Sequence, residues 1–259
     1  MTTPFYVITF NRVSGLENAI RFAERSTLDL ELIILDMGST YPPFWDYVTQ
    51  KKFPVHSYSL TRGPRELWTQ GYLEKLGSGP FFISDGDIDY DNVDSIAFEK
   101  MRELGLKYSW LPKVGLALDI NYLPNDEEGR RIRSWERWNW KFEIEKDVYL
   151  GGLDTTIAFY PMRTKSFFYR PALRVAGKCT ANHYPWQERA STYSEEVRFY
   201  HLVASSVVST TATGTQQNFQ TRAKRSVLFQ LFNLMRFVIG SHRFGPPAVK
   251  ILALRGQFI

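Results

Sequence analysis

Cysteine is nearly absent from this 259-residue chain, and long apolar runs are absent altogether. The one cysteine, Cys179, excludes a disulfide framework or a cysteine-based zinc site within one chain, and we expect it to be a small buried side chain in a reducing compartment. No uncharged apolar stretch approaches the ~18 residues of a membrane-spanning helix. No basic segment followed by a long apolar run opens the sequence, so its start is interpreted as a first strand rather than a signal peptide.

Acidic residues are also missing after Glu196, where eight Lys or Arg remain and no Asp or Glu. The first 196 residues carry 24 basic and 27 acidic side chains, so the net charge of +5 is concentrated at the C-terminal end. Residues 222–259 are basic and largely apolar. This pattern predicts a peripheral contact with an anionic membrane, a helix buried on the core, or an oligomer contact. Because apolar residues dominate this end and the rest is net acidic, nucleic-acid binding is disfavoured.

Apolar segments and helical patterns alternate through the first 92 residues. Strands are predicted at 5–10, 30–36, 54–60 and 80–84, and helices at 15–25, 42–50 and 66–76. Farther along, a helix is predicted at 93–104 and strands at 113–120 and 152–160. The order β-α-β-α-β-α-β predicts a parallel sheet covered by helices. Ligands of such sheets bind beyond the carboxyl ends of the strands.

Four acids at alternate positions follow the fourth predicted strand, in FFISDGDIDYDN: Asp85, Asp87, Asp89 and Asp91. An EF-hand loop is excluded, because Tyr90 and Ile96 stand where it needs Gly and Glu. An aspartyl-phosphate phosphatase carries its nucleophile after the first strand rather than the fourth. A helix cap explains Asp91 or Asn92 alone. Carboxylates favour hard cations such as Mg²⁺ or Mn²⁺, which bridge phosphate oxygens, so the cluster predicts a metal site for a diphosphate.

Three segments, FYVITFNR, LIILDMGST and FFISDGDID, resemble GT-A glycosyltransferases and are most similar to glycosyltransferase family 2. The resemblance covers roughly residues 4–92 by motif, is looser through 93–200 and is absent beyond. It implies an α/β fold with a GT-A, Rossmann-like, mostly parallel sheet flanked by helices. Residues 1–204 would form this domain. Residues 205–259 would form a Ser/Thr-rich loop and a basic, apolar, helical C-terminal extension.

The resemblance also implies roles for individual residues near the donor nucleotide. Thr9, Asn11 and Arg12 would lie near the nucleotide. Asp36 would accept hydrogen bonds from the base, most commonly uracil, and Arg62 would lie by the base or the diphosphate. Asp85 would face the ribose or a metal-bound water, and Asp87 would bind the metal. The segment Asp87-Ile88-Asp89 is a second Asp-x-Asp, so the register stays open, with Asp87 common to both.

Two further functions follow from the resemblance: completion of the metal site and proton transfer. A late histidine often completes the metal site of such enzymes, and His183 in CTANHYPWQ is the candidate. An inverting transferase needs a carboxylate base for the acceptor hydroxyl. Asp154, after a Gly-Gly pair, is the first candidate, and Glu136 and the pair Glu195–Glu196 are alternatives.

Aromatic residues complete the predicted site, because Trp135 and Trp186 could stack on acceptor or donor sugar rings or pack in the core. The sequence thus predicts a transferase that moves a sugar from a nucleotide-diphosphate donor, with a UDP-sugar favoured, to a glycan or lipid-linked hydroxyl in cell-surface polysaccharide synthesis. We expect it in the cytoplasm or at the inner face of the membrane, with Mn²⁺ or Mg²⁺ as cofactor. The alternatives are a sugar-phosphate nucleotidyltransferase, whose Gly-rich loop after the first strand is missing here, and a non-catalytic nucleotide-sugar or glycan-binding module.

Overall fold

The computed structural model describes residues 2–59, 63–153, 155–162 and 171–204, together with 234–235, 238 and 253–254. The strands are Thr3–Thr9 (β1), Leu30–Asp36 (β2), Val55–Ser57 (β3), Phe81–Asp85 (β4), Ile88–Asp89 (β5), Val114–Leu116 (β6), Phe142–Glu145 (β7), Val148–Gly151 (β8), Ala158–Tyr160 (β9), Ala172–Val175 (β10), Asn182–His183 (β11) and Ala253–Leu254 (β12). The α-helices are Val13–Glu24 (α1), Pro42–Lys51 (α2), Glu66–Thr69 (α3), Tyr72–Lys75 (α4), Ala97–Lys107 (α5), Glu127–Glu136 (α6), Tyr184–Gln187 (α7) and Glu195–Val203 (α8). Short 3₁₀ helices span Arg137–Trp140, Gly177–Cys179 and Ala190–Thr192.

A ten-stranded sheet in the order β12-β7-β8-β10-β6-β9-β4-β1-β2-β3 forms the centre of the described structure. Strand β1 pairs in parallel with β2 and with β4, and β2 pairs in parallel with β3. The predicted α/β fold with parallel strands flanked by helices is therefore confirmed. In this half of the sheet the carboxyl ends of β1, β2 and β4 meet at one edge.

The other half of the sheet is mixed. Strand β9 runs antiparallel to both β4 and β6, whereas β10 runs parallel to β6 and antiparallel to β8. Strands β7 and β8 form a hairpin joined by a two-residue turn, and Asp147 in that turn has a φ of 58°. A short turn permits only antiparallel pairing, so this half departs from the parallel pattern of the first four strands.

Alternation along the central strands divides the core into two layers. Phe5 and Val7 of β1 face α1 and α5, where Phe22 and Phe98 pack against them. The intervening residues of β1, with Trp68 and Tyr160, form a second cluster on the opposite face. The sheet is therefore buried on both sides, which explains why its first strands are apolar runs without a two-residue period.

Several predicted boundaries differ from the structure. The helix predicted at 66–76 is divided into α3 and α4, because Gly71 adopts a φ of 68°. The helix predicted at 93–104 begins at Ala97, after a turn closed by hydrogen bonds from the backbone N–H of Val93 to Tyr90 and of Ala97 to Asp94. The strand predicted at 113–120 is confined to β6, and that at 152–160 to β9.

Cys179 is buried as predicted, and burial raises the pKa of its thiol to about 11. Within the described part of the chain, no helix is long and apolar enough to cross a membrane. Most of 205–259 lies outside the described residues, so the division at residue 204, the helical extension and its membrane contact stay predictions.

Candidate active site

The loop after β4 is pressed against the start of α1. The backbone N–H of Gly86 donates to the carbonyl of Ile8 at 2.6 Å, which ties the loop to the end of β1. A Cβ placed on Gly15 would lie 1.6 Å from the carbonyl oxygen of Gly86. A side chain at position 15 is therefore excluded unless the backbone moves, and this contact fixes where Asp85 and Asp87 emerge.

A two-stranded ladder joins this loop to a distant part of the chain. Strand β5 pairs antiparallel with β11, with Ile88 opposite His183, and the backbone N–H of Tyr184 donates to the carbonyl of Asp87 at 3.0 Å. The pairing places His183 Nε2 3.4 Å from Asp87 Oδ1. The two residues predicted to bind a metal are therefore neighbours in the fold.

The surroundings of Asp87 favour a negative charge. Burial by itself would raise the pKa of this carboxyl, but the nearby His183 imidazole and the Arg12 guanidinium outweigh burial, and the pKa is lowered. The Nδ1 atom of His183 is buried and accepts or donates no hydrogen bond within the described structure. An ionised carboxylate and an imidazole nitrogen thus face each other at the carboxyl end of β4.

Asp85 is held by Thr155, a residue for which the sequence analysis predicted no role. The backbone N–H of Asp85 donates to the carbonyl of Thr155 at 3.2 Å, and the Thr155 hydroxyl donates to Asp85 Oδ2. Both residues lie where β4 ends beside the segment that leads to β9. Thr155 is therefore a positioning residue for the first acid of the Asp-x-Asp pair.

Replacing Thr155 by valine removes the hydroxyl and keeps the shape of the side chain. A hydrogen bond to a charged group contributes about 1.5–3 kcal/mol, so we expect metal-dependent nucleotide binding to weaken about tenfold or more. The measurement is calorimetric titration with Mn²⁺ present. Thr155→Ser should restore the affinity. The matched control is Thr156→Val, because the Thr156 hydroxyl is also buried and makes no hydrogen bond to any of the described residues. Equal effects of the two valine variants would refute a specific role for Thr155.

The other two acids of the cluster have structural partners. Asp89 accepts hydrogen bonds from the backbone N–H of Asp91 at 3.0 Å and from the Asn182 amide at 3.4 Å. Asp91 accepts from the side chain of the buried Asn18 at 2.7 Å and lies 3.6 Å from Arg21. Of the two Asp-x-Asp registers, this arrangement favours the one formed by Asp85 and Asp87.

Asp36 and Asn11 organise the loop after β2. Asp36 is buried, and its two carboxylate oxygens accept the backbone N–H groups of Gly38 and Ser39 at 3.2 and 2.9 Å. Asn11, with a φ of 54°, accepts the backbone N–H groups of Thr40 and its successor at 2.7 and 2.8 Å. Its Nδ2 is buried and has no hydrogen-bond partner in the described part of the chain. Asp36 and Asn11, both predicted to lie near the nucleotide, are thus close together, and they also hold the loop after β2 in place.

Arg12 and Thr9 are buried at the end of β1. The Thr9 hydroxyl donates to the carbonyl of Arg12 at 3.2 Å. The Arg12 guanidinium forms a bidentate pair with Glu188, at 2.7 and 3.2 Å, and lies 4.5 Å from the centre of the Tyr200 ring. Burial by itself would lower the pKa of Arg12, but the hydrogen bonds and the negative charge of Glu188, together with the charge of Asp87, outweigh burial, and the pKa is raised. No sequence pattern predicts a role for Glu188, because its partner Arg12 lies 176 residues away along the chain.

Glu136, an alternative base in the sequence analysis, is almost completely buried in an ion pair with Arg174. Its second oxygen accepts the Asn139 amide at 2.9 Å, and Asn139 accepts the backbone N–H of Gly152 at the same distance. This arrangement favours a role in holding the Gly-Gly segment over one in proton transfer. Glu196, another alternative base, accepts the first backbone N–H of α1, from Val13, at 2.7 Å.

The two predicted tryptophans contact each other beside His183. The rings of Trp135 and Trp186 meet edge to face, with centroids 5.8 Å apart, and Trp186 also meets the His183 ring at 5.0 Å. Trp186 is buried, whereas Trp135 is half-buried. Asp154 and Arg62 lie outside the described residues, so their roles stay predictions.

The donor atoms fit a hard divalent cation in part. Asp87 and His183 would hold it, and carboxylate oxygen is the ligand type that Mn²⁺ and Mg²⁺ prefer. Across the described ranges, no group of three His, Cys, Asp or Glu side chains could hold a metal ion. Magnesium-type sites at phosphate substrates commonly use one or two protein ligands and complete the coordination with phosphate oxygens and water. Two protein ligands therefore fit a cation that is bound together with a diphosphate.

Comparisons with known proteins were made at the level of families, sequences and structures. No protein-family model and no curated protein sequence matches the chain. A mannosyltransferase from Pyrobaculum calidifontis, solved with GDP-mannose and Mn²⁺, is similar over 94% of this chain and 76% of its own, with 9% identity and a TM-score of 0.48. Glucosyl-3-phosphoglycerate synthase from Mycobacterium tuberculosis, solved with UDP, is similar over 90% and 79%, with 12% identity and a TM-score of 0.40.

A protein of another activity is also among the similar structures. CMP-2-keto-3-deoxy-manno-octonic acid synthetase, solved with CTP, is similar over 91% of this chain and 87% of its own, with 10% identity and a TM-score of 0.40. Four further matches cover between 44% and 47% of the matched chain. All three similarities lie at 9–12% identity, so they say nothing of the activity of this chain.

Proposed function

We propose that this protein is a metal-dependent glycosyltransferase that moves a sugar from a nucleoside diphosphate to a hydroxyl acceptor. The observation that carries the proposal is the meeting of Asp87 and His183 beside Asp85 at the carboxyl end of β4. Asp36 ends β2 at the same edge of the sheet. This arrangement at one edge of the sheet supports a metal position next to a nucleotide position, as transfer from a nucleotide sugar requires.

Each of these residues would have its own role in binding the donor and the cation. Asp36 and the loop that it holds would bind the base, Asp85 would fix the ribose or a metal-bound water, and Asp87 with His183 would hold the cation. A divalent cation at that position neutralises charge that develops on the leaving diphosphate. Arg12, whose charge is felt at Asp87, would add a second positive group on the same side.

Acceptor activation is assigned to Asp154, which directly precedes Thr155 in the sequence. Its carboxylate would take the proton of the acceptor hydroxyl as that oxygen attacks the sugar. Trp135, half-buried against Trp186, would present a ring face or edge to a sugar. A UDP-sugar donor and a glycan or lipid-linked acceptor in cell-surface polysaccharide synthesis are proposed from the motif resemblance. Membrane contact through 222–259 is tested by co-sedimentation with anionic vesicles.

The deciding experiment is calorimetric titration of UDP, GDP, CMP and CTP into the protein, with and without Mn²⁺. We expect one nucleoside diphosphate to bind only with the metal, and slow hydrolysis of the matching nucleotide sugar to follow. Tight binding of CTP together with release of pyrophosphate from CTP and a sugar would favour a nucleotidyltransferase instead. Binding of the nucleotide without hydrolysis or transfer would favour a binding module. Absence of nucleotide binding under all conditions would refute the proposed donor site.

A further inference from the structure

Two carboxylates of the chain itself bind the residues that follow β1. Glu188, which follows α7, holds the Arg12 guanidinium with both carboxylate oxygens, at 2.7 and 3.2 Å. Glu196, in the first turn of α8, accepts the backbone N–H groups of Val13 and Ser14 at 2.7 and 3.1 Å, and the Ser14 hydroxyl at 2.7 Å. Two carboxylates of one segment therefore occupy the Arg12 guanidinium and the first N–H groups of α1, both of which attract anions.

Aromatic contacts hold this segment in place over the edge of the sheet. Phe199 of α8 packs on Tyr41, with ring centroids 4.9 Å apart, and Tyr200 packs on Phe10 at 6.0 Å. Tyr200 also covers the Arg12 guanidinium. The side chain of Arg12 is consequently only 8% exposed, and that of Glu188 is 17% exposed. Solvent screening of this ion pair is weak, so the loss of one partner costs more free energy than it does in a surface pair.

Arg12 lies next to the loop that carries the proposed metal position. The backbone N–H of Gly86, between Asp85 and Asp87, donates to the carbonyl of Ile8 at 2.6 Å, so the residues that follow β1 lie against this loop. A carboxylate and a phosphate offer a guanidinium the same bidentate geometry. A diphosphate bound beside Asp87 would therefore compete for the N–H groups that Glu188 holds in this structure.

We propose that Glu188 is an internal competitor of the donor, which occupies Arg12 until the diphosphate replaces it and thereby sets the affinity for the donor. This inference rests on the proposed function, because it places a diphosphate next to Arg12. The exchange conserves charge at the guanidinium, since one anion replaces another. The affinity for the donor would therefore be lower than it would be without Glu188. Without the donor, α8 and the segment before it would cover the position next to Arg12.

The experiment compares Glu188→Gln with the wild-type protein by calorimetric titration of pyrophosphate and of UDP, both with Mn²⁺ at constant ionic strength. Glutamine keeps the size and one acceptor oxygen of Glu188 but loses the charge. We expect both ligands to bind about tenfold more tightly, because Arg12 is then free to pair with phosphate. Glu17→Gln removes one negative charge from α1 and should change the affinity less than about twofold, because solvent screens a charge that does not pair with Arg12.

A second pair of variants separates competition from a general charge effect. In an Arg12→Gln background, Glu188→Gln should no longer tighten binding. Equal or weaker pyrophosphate binding by Glu188→Gln would overturn the inference and show that Glu188 orients Arg12 instead. If UDP binds and Glu188→Gln weakens it, the proposed function stands and this inference fails. If pyrophosphate binds more tightly to the variant but no nucleotide binds, competition between Glu188 and a diphosphate at Arg12 stands, whereas the proposed nucleotide donor fails. Failure of pyrophosphate to bind any variant also overturns it.

Discussion

Replacing Asp87 by asparagine is expected to abolish metal-dependent nucleotide binding and sugar transfer while the protein still folds. Asparagine keeps the shape of the side chain but removes the charged oxygen that lies 3.4 Å from His183 Nε2. Loss of groups that only orient a metal ligand costs 10–100-fold in affinity, so loss of the ligand itself should cost about 100-fold or more. Titration of Mn²⁺ and nucleotide into the variant, together with a transfer assay, measures the effect.

Asp89→Asn is the matched control for this variant. It removes the same charge from the same loop, but Asp89 already accepts hydrogen bonds from Asp91 and Asn182. We expect metal affinity within about threefold of the wild type, because the remaining effect is a screened charge. If both variants lost metal binding, the register with Asp87 and Asp89 would be the correct one. If neither did, the metal position would be wrong.

Replacing Glu136 by leucine is expected to give the largest loss of stability of any substitution considered. The variant leaves Arg174 buried without its carboxylate, since the two side chains are 2% and 4% exposed. Removal of one partner of a buried ion pair costs about 3–5 kcal/mol. The shift in the midpoint of urea unfolding measures this cost, provided that the slope of the transition stays constant.

Two further variants make the Glu136 result specific. The double variant Glu136→Leu/Arg174→Met should recover most of the lost stability, because a well-packed apolar pair often replaces a buried ion pair without loss. Glu128→Gln breaks the more exposed pair between Glu128 and Arg131 on α6 and should cost about 0–1 kcal/mol. A Glu136→Leu variant as stable as Glu128→Gln would show that the burial of this pair contributes little.

The central strands and the acidic loop could be predicted from the sequence, because their signals are local. Strands β1, β2 and β4 are apolar runs that end in polar turns, and the structure places each within a few residues of its predicted bounds. Asp85 and Asp87 follow β4 directly. The division of the helix at Gly71 was missed, because an isolated glycine does not reveal from sequence that it adopts a positive φ.

The partners of the site residues could not be predicted, because they lie far away along the chain. Thr155 holds Asp85 from a segment that follows β8, and Glu188 holds Arg12 from beyond α7. Such contacts leave no period or motif near either residue. From the sequence, its charge alone makes Glu136 a candidate base. Its ion pair with Arg174 depends on the packing of α6 against β10, which no local pattern predicts. Tertiary packing therefore decided these roles.

The pairing of β5 with β11 also determines at which stage of folding the proposed metal site can form. Asp87 lies in the first half of the chain and His183 in the second, so both reach the site only after β11 has paired with β5. Contacts between distant segments form late, because closing a long loop costs entropy before any contact is gained. During synthesis, a chain that has released only its first half already has both acids of the motif but not the imidazole. At the proposed site, metal binding of full strength would therefore mark the completion of folding, and a cation present during refolding should stabilise the final step rather than the first.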